Sequence, residues 1–162
     1  HGGTLNPFTS RSTDFIGFRT GAKTGCAFDG FMSHCARMAI EVKNLSEVPA
    51  FTTKDGSEIR ELLAYRNSGI REQSLAEARL AVGASTQEHY HARTEEIYYI
   101  TAGTGRIRIE GEERLVGVGD AIAIPPGQRH KLWNTGSTPL HLLCTCVPPY
   151  EHSDTYITEP ES

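Results

Sequence analysis

Three histidines and one glutamate stand at spacings that suit metal ligation: His89, His91, Glu96 and His130. His89 and His91 are two apart, so on a strand both side chains point to one face. Glu96 opens the strand-forming run Glu96-Ile97-Tyr98-Tyr99-Ile100-Thr101, and a bend at 92–95 would fold that run back beside the histidine pair. His130 follows the rigid turn Pro125-Pro126-Gly127 and opens another short strand. Imidazole nitrogen and carboxylate oxygen suit zinc, iron, manganese, nickel or copper. Four such ligands can close a tetrahedron. They can also leave two adjacent octahedral positions open for chemistry. Two further polar side chains share the inward parity and are read as catalytic candidates. Tyr98 has the parity of Glu96 and can donate a proton or hydrogen bond, and Gln87 has the parity of His89 and His91.

The flanking sequence reads as strands and turns. Residues 41–47 suggest a short strand and loop, followed by the turn Thr53-Lys54-Asp55-Gly56 and a strand over 58–65. Residues 73–82 have helical propensity in Leu75-Ala76-Glu77-Ala78-Arg79-Leu80. Arg106-Ile107-Arg108-Ile109 alternates, with the isoleucines inward and the arginines in water. Ala121-Ile122-Ala123-Ile124 reads as a short buried strand, and 139–147 as a last strand. By parity, Ile100, Ile122 or Ile124, Leu132 and Leu142 would line the site. Tyr150 and His152 are candidates to fold over it, against a solvated tail as the slightly favoured reading.

The full pattern is G-x5-H-x-H-x4-E-x6-G from Gly83 to Gly103, then G-x5-P-x-G-x2-H-x3-N from Gly119 to Asn134. It resembles the two motifs of the cupins. The resemblance implies an all-β fold, a double-stranded β-helix or jelly-roll barrel of six to eight strands. It makes 73–82 a strand, and makes His89, His91, Glu96 and His130 the metal ligands. Spacing selects Glu96 over the adjacent Glu95. The cupin-like region is 38–162, and 1–37 is an N-terminal extension of uncertain origin. Cupins of this size commonly dimerise through an early strand, which would place a homodimer contact at 41–51 or 58–65.

Hydrophobic content of 38%, charged content of 22% and a net charge of −4 read as one globular domain. No basic run with interleaved aromatics points to nucleic acid, and no apolar stretch approaches a membrane span. The cysteines, Cys26, Cys35, Cys144 and Cys146, read as reduced thiols in a cytoplasmic protein. Cys144 and Cys146 face one side of a strand, and a C-x-C metal site is the sharper alternative.

The resemblance leaves three functions open. The first is a copper- or iron-dependent oxidoreductase, with manganese, nickel or zinc as other metals. It would be of dioxygenase type, or would oxidise carbohydrate ends with copper, and would act on a small molecule or saccharide. The second is a sugar or sugar-acid isomerase or epimerase, and the third a non-catalytic module that binds a metal or small ligand.

Overall fold

The computed structural model describes residues 40–159. The extension read at 1–37, with Cys26 and Cys35, lies outside the described residues. The chain forms two antiparallel sheets, the expected all-β jelly roll. The larger runs β1 (Phe51–Thr52), β2 (Glu58–Leu63), β3 (Ser74–Leu80), β10 (Leu140–Val147), β5 (Glu95–Ala102) and β8 (Ala121–Ile124) in spatial order. The smaller runs β11 (Thr155–Ile157), β4 (His89–His91), β9 (His130–Asn134), β6 (Thr104–Ile109) and β7 (Glu112–Gly117). Among the described residues no helix is long and apolar enough to cross a membrane.

The core lies between the sheets because both contribute apolar side chains at alternate positions. Ile59, Leu80, Ile100, Leu140 and Leu142 come from one sheet, Ile107, Val116 and Leu132 from the other. Ile100, Leu132, Leu140 and Leu142 are fully buried, each stabilising the fold by about 1.5–3 kcal/mol. β3 is a strand despite its helical propensity, since it is paired on both edges, by β2 and β10. Tertiary pairing outweighs a preference of at most a few tenths of a kcal/mol per residue. Gly103 lets β5 turn into β6. Its φ is +80°, and a Cβ there would stand 2.7 Å from the Pro139 carbonyl oxygen.

Several sequence expectations change. Residues 41–47 hold no strand. Leu45–Glu47 is a 3₁₀ turn, capped by Asn44, whose Oδ1 accepts from Ser46 N at 3.0 Å. β8 is an edge strand in which only Ile124 is buried, so that run was apolar without being enclosed. β2 is interior, so of the two segments named for pairing with a second chain only the one ending in β1 reaches a sheet edge. The largest change concerns β4 and β5. They do not form a hairpin but belong to opposite sheets, and the chain crosses between the sheets at 92–94. The tail is also not solvated. Residues 155–157 form β11 on β4, pairing Thr155 with His91 and Ile157 with His89.

Candidate metal centre

Two strands of the smaller sheet and one of the larger deliver the four candidate ligands. β4 turns His89 and His91 inward, and the β4–β9 pairing sets His89 directly opposite His130. The Pro125-Pro126-Gly127 turn is tied to the end of β4 by the Gly127 amide, which donates to the His91 carbonyl at 2.7 Å. Gly127 has a φ of +79°, which suits glycine. β5 then brings Glu96 from the opposite sheet. Glu96 is 4% exposed while Glu95 faces solvent, as the spacing selected.

All four side chains converge. One ligand atom from each of His89, His91, Glu96 and His130 lies within 4.8 Å of every other. The Nε2 atoms of His91 and His130 each stand 3.3 Å from Glu96 Oε2. Neither contact is a hydrogen bond, and Oε2 is buried without a partner among the described residues. An unpaired buried carboxylate oxygen is costly. Ligand atoms about 2.0–2.2 Å from a shared ion lie about 3.0 Å apart at a right angle and about 3.4 Å apart at the tetrahedral angle, so 3.3 Å fits a shared ion.

The outer nitrogens support this arrangement. His89 Nδ1 lies 2.8 Å from the Gln87 carbonyl oxygen, and His130 Nδ1 lies 2.9 Å from that of Gln128. His91 Nδ1 lies 3.3 Å from the Asp154 carbonyl oxygen. A carbonyl only accepts, so each Nδ1 carries the proton and each Nε2 presents its lone pair to the centre. The donor set and its tautomers therefore fit a divalent ion.

Electrostatics agree in sign. Burial pushes Glu96 up, but in the metal-free protein a proton on Nε2 of His130 or His91 outweighs it and holds the carboxyl well below its ordinary value. Burial, with His130 adding to it, lowers His89. Burial also lowers His91, yet Glu96 wins and raises it. Burial holds the Tyr98 phenol well above its ordinary value, so it is a proton donor at neutral pH.

Tyr98 points inward, with its hydroxyl 3.4 Å from His130 Nε2. Gln87 has no side chain in the cavity wall, and its backbone does the work by accepting from His89. Tyr150 lines the cavity with its ring edge-on to His91, 6.1 Å between centroids, while His152 is exposed. Of the apolar side chains expected around the site, none of Ile100, Ile122, Ile124, Leu132 and Leu142 lines it; the apolar wall is Ile59, Ala76 and Ala78, with Cys146 beside them. Parity gives the face of a strand but not the depth along it.

Sequence reasoning missed two acids. Asp55, read as a turn residue, is 6% exposed and lines the cavity. Its Oδ1 accepts from Thr53 Oγ1, from Ser57 Oγ at 2.9 Å and from Ser57 N at 3.3 Å. Its Oδ2 stands 4.0 Å from His89 Nε2. Asp154, in the tail, accepts from the amides of Arg93 at 3.2 Å and Thr94 at 3.1 Å. It thus pins the crossover that carries the chain from His91 to Glu96. A T-x-D-x-S run after a proline was the only sign of Asp55.

Known proteins agree with this geometry. The Cupin domain model matches residues 76–146, which span all four candidate ligands. An uncharacterized protein of Methanocaldococcus jannaschii is 45% identical over 122 residues, covering 75% of this chain and 98% of that protein. The structure of a predicted oxalate decarboxylase from Thermotoga maritima superposes with a TM-score of 0.60 at 27% identity, over 67% of this chain and 99% of that one. The polyketide cyclase RemF of Streptomyces resistomycificus shares the fold, with a TM-score of 0.64 at 21% identity over 76% of this chain and 88% of its own. By motif, by fold and by a near full-length relative, the chain belongs to the cupin superfamily.

Proposed function

We propose that this cupin is a metal-dependent enzyme that moves protons on a small oxygenated substrate, in the isomerase or lyase class. The observation that carries this reading is Asp55. Three donors fix its Oδ1 and leave Oδ2 on the cavity side, 4.0 Å from a ligand imidazole. That is the arrangement of a general base. Beside His130, the protonated Tyr98 hydroxyl supplies a general acid.

His89, His91, Glu96 and His130 would hold the ion, which supplies Lewis-acid polarisation of a substrate carbonyl. Asp55 Oδ2 then takes a proton from the carbon next to that carbonyl. The Tyr98 hydroxyl donates to the oxygen where negative charge develops. The walls from Ile59, Ala76 and Ala78 exclude water from this exchange. The cavity volume, about 40 Å³, favours a small substrate or one end of a larger one. Similarity to a predicted oxalate decarboxylase supports a small carboxylated molecule.

The oxidoreductase that the sequence puts first becomes the second reading, favoured by the same apolar wall and by the thiols beside Glu96. The test is solvent exchange. Metal-loaded protein is incubated under nitrogen in deuterated water with a panel of small hydroxy-ketones, keto acids and sugar acids, and followed by NMR. Deuterium incorporation at a carbon next to a carbonyl, lowered at least about 100-fold in Asp55→Asn, supports the proposal. No exchange, with oxygen uptake in air, selects the oxidoreductase.

A further inference from the structure

We propose that Glu96 bridges two cation sites, and that Cys144, Cys146 and Glu96 Oε1 form the second, a thiolate-rich site for a thiophilic ion such as zinc or copper(I).

The position of the thiols follows from register. β10 lies beside β5 with Cys146 opposite Glu96 and Cys144 opposite Tyr98. Both cysteines therefore share the inward face with the ligand glutamate, and both line the cavity. Cys144 Sγ lies 3.2 Å and Cys146 Sγ 3.1 Å from the same oxygen, Glu96 Oε1. The other oxygen, Oε2, faces His91 and His130. The two oxygens of one buried carboxylate thus serve two separate donor sets.

The distances fit an ion. Two thiolates about 2.3 Å from a tetrahedral centre lie about 3.8 Å apart, and the sulfurs here stand 3.7 Å apart. The carboxylate–sulfur distances, 3.1 and 3.2 Å, are a few tenths shorter than the roughly 3.5 Å of an ideal tetrahedron. Small side-chain rotations supply that difference. The chemistry fits too: soft thiolates select zinc or copper(I), whereas the imidazole–carboxylate set accepts harder ions. Binding releases one proton from each thiol. The two cations would then face three negative groups, two thiolates and the shared carboxylate. Ser74 lines the same cavity beside the thiols.

The test uses cobalt(II) as a spectroscopic probe on reduced, metal-free, full-length protein under nitrogen. Bound cobalt is measured by equilibrium dialysis, and thiolate coordination by its charge-transfer absorption. Wild type is expected to bind two equivalents, one of them with the thiolate band. The double variant Cys144→Ser/Cys146→Ser is expected to bind one, without the band. Cobalt should also slow iodoacetamide alkylation of Cys144 and Cys146 about tenfold, read peptide by peptide by mass spectrometry. A single equivalent in wild type, with or without the band, overturns the proposal. So does a second equivalent that keeps its band in the double variant, or alkylation that cobalt does not slow. The alkylation result decides alone if the double variant does not fold. A single equivalent bound without the band would leave the histidine–glutamate centre standing while this second site falls.

Discussion

Glu96→Gln separates a metal ligand from a merely buried acid. In the metal-free protein the change is mild. The glutamine carbonyl still accepts from Cys144 and Cys146, whose sulfurs lie 3.2 and 3.1 Å from Oε1. Its amide takes the place of Oε2, 3.3 Å from two imidazole nitrogens that carry lone pairs, so it gains acceptors. The variant also removes a buried charge. At a pH where both imidazoles are neutral, metal-free stability should therefore stay within about 1 kcal/mol of wild type. The metal-linked part should collapse. An ion at a thousand times its dissociation constant stabilises the folded chain by about 4.1 kcal/mol. Loss of an outer partner alone costs roughly 10–100-fold in affinity, so loss of a ligand costs at least about 100-fold, or about 2.7 kcal/mol. For the roughly 120 described residues, 1 kcal/mol moves Tm by about 4 °C. Manganese should then raise Tm by about 16 °C in wild type and by about 6 °C in the variant, read by scanning calorimetry with and without the ion. Equal shifts in both proteins would refute Glu96 as a ligand.

His91→Ala should release most of the metal while leaving the barrel folded; stoichiometric metal in that variant, by elemental analysis, would contradict the ligand set. Asp154→Ala strands the Arg93 and Thr94 amides, which its carboxylate accepts at 3.2 and 3.1 Å, and should cost about 1–3 kcal/mol in urea denaturation. Tyr98→Phe should keep the metal and lower turnover by about 10²–10⁴, once a substrate is in hand. The pH dependence should differ between the two forms. His89, lowered in the fold, loses stability as pH falls through about 6.5, while His91, raised, loses it as pH rises. The two effects act on opposite sides of the unfolded value, so metal-free stability should pass through a maximum near about pH 6.5 and decline on either side. It should fall below about pH 4.5 as protons reach Glu96, whose folded pKa is depressed. In the loaded protein all three imidazoles must stay neutral, so about 4 kcal/mol should be lost between pH 7.5 and 5.5. A loaded protein with no such slope in urea titrations would count against three histidine ligands.

The clustering of the candidate ligands was legible because two local rules place them. Period-two alternation puts His89 and His91 on one face, and the Pro-Pro-Gly turn fixes where His130 begins its strand. The route by which Glu96 joins them was not legible. A short bend between two strands reads the same whether it closes a hairpin or carries the chain to the other sheet, and only the pairing of β5 with β10 and β8 decides. Asp55 looked like a turn residue, since aspartate before glycine is common in turns. Its burial comes from packing beneath His89, a contact across more than thirty residues. Asp154 sits in a tail whose composition gave no period, and becomes ordered only because β11 pairs with β4. The C-x-C pair was visible as a pair, but its relation to Glu96 depends on the β10–β5 register.

The most direct test of the histidine–glutamate centre is calorimetric titration of metal-free protein with manganese, an ion that favours oxygen and imidazole donors over thiols. The account predicts one equivalent per chain in wild type and no measurable binding in His130→Ala, with circular dichroism showing the barrel intact. One equivalent bound with unchanged affinity in His130→Ala would contradict it.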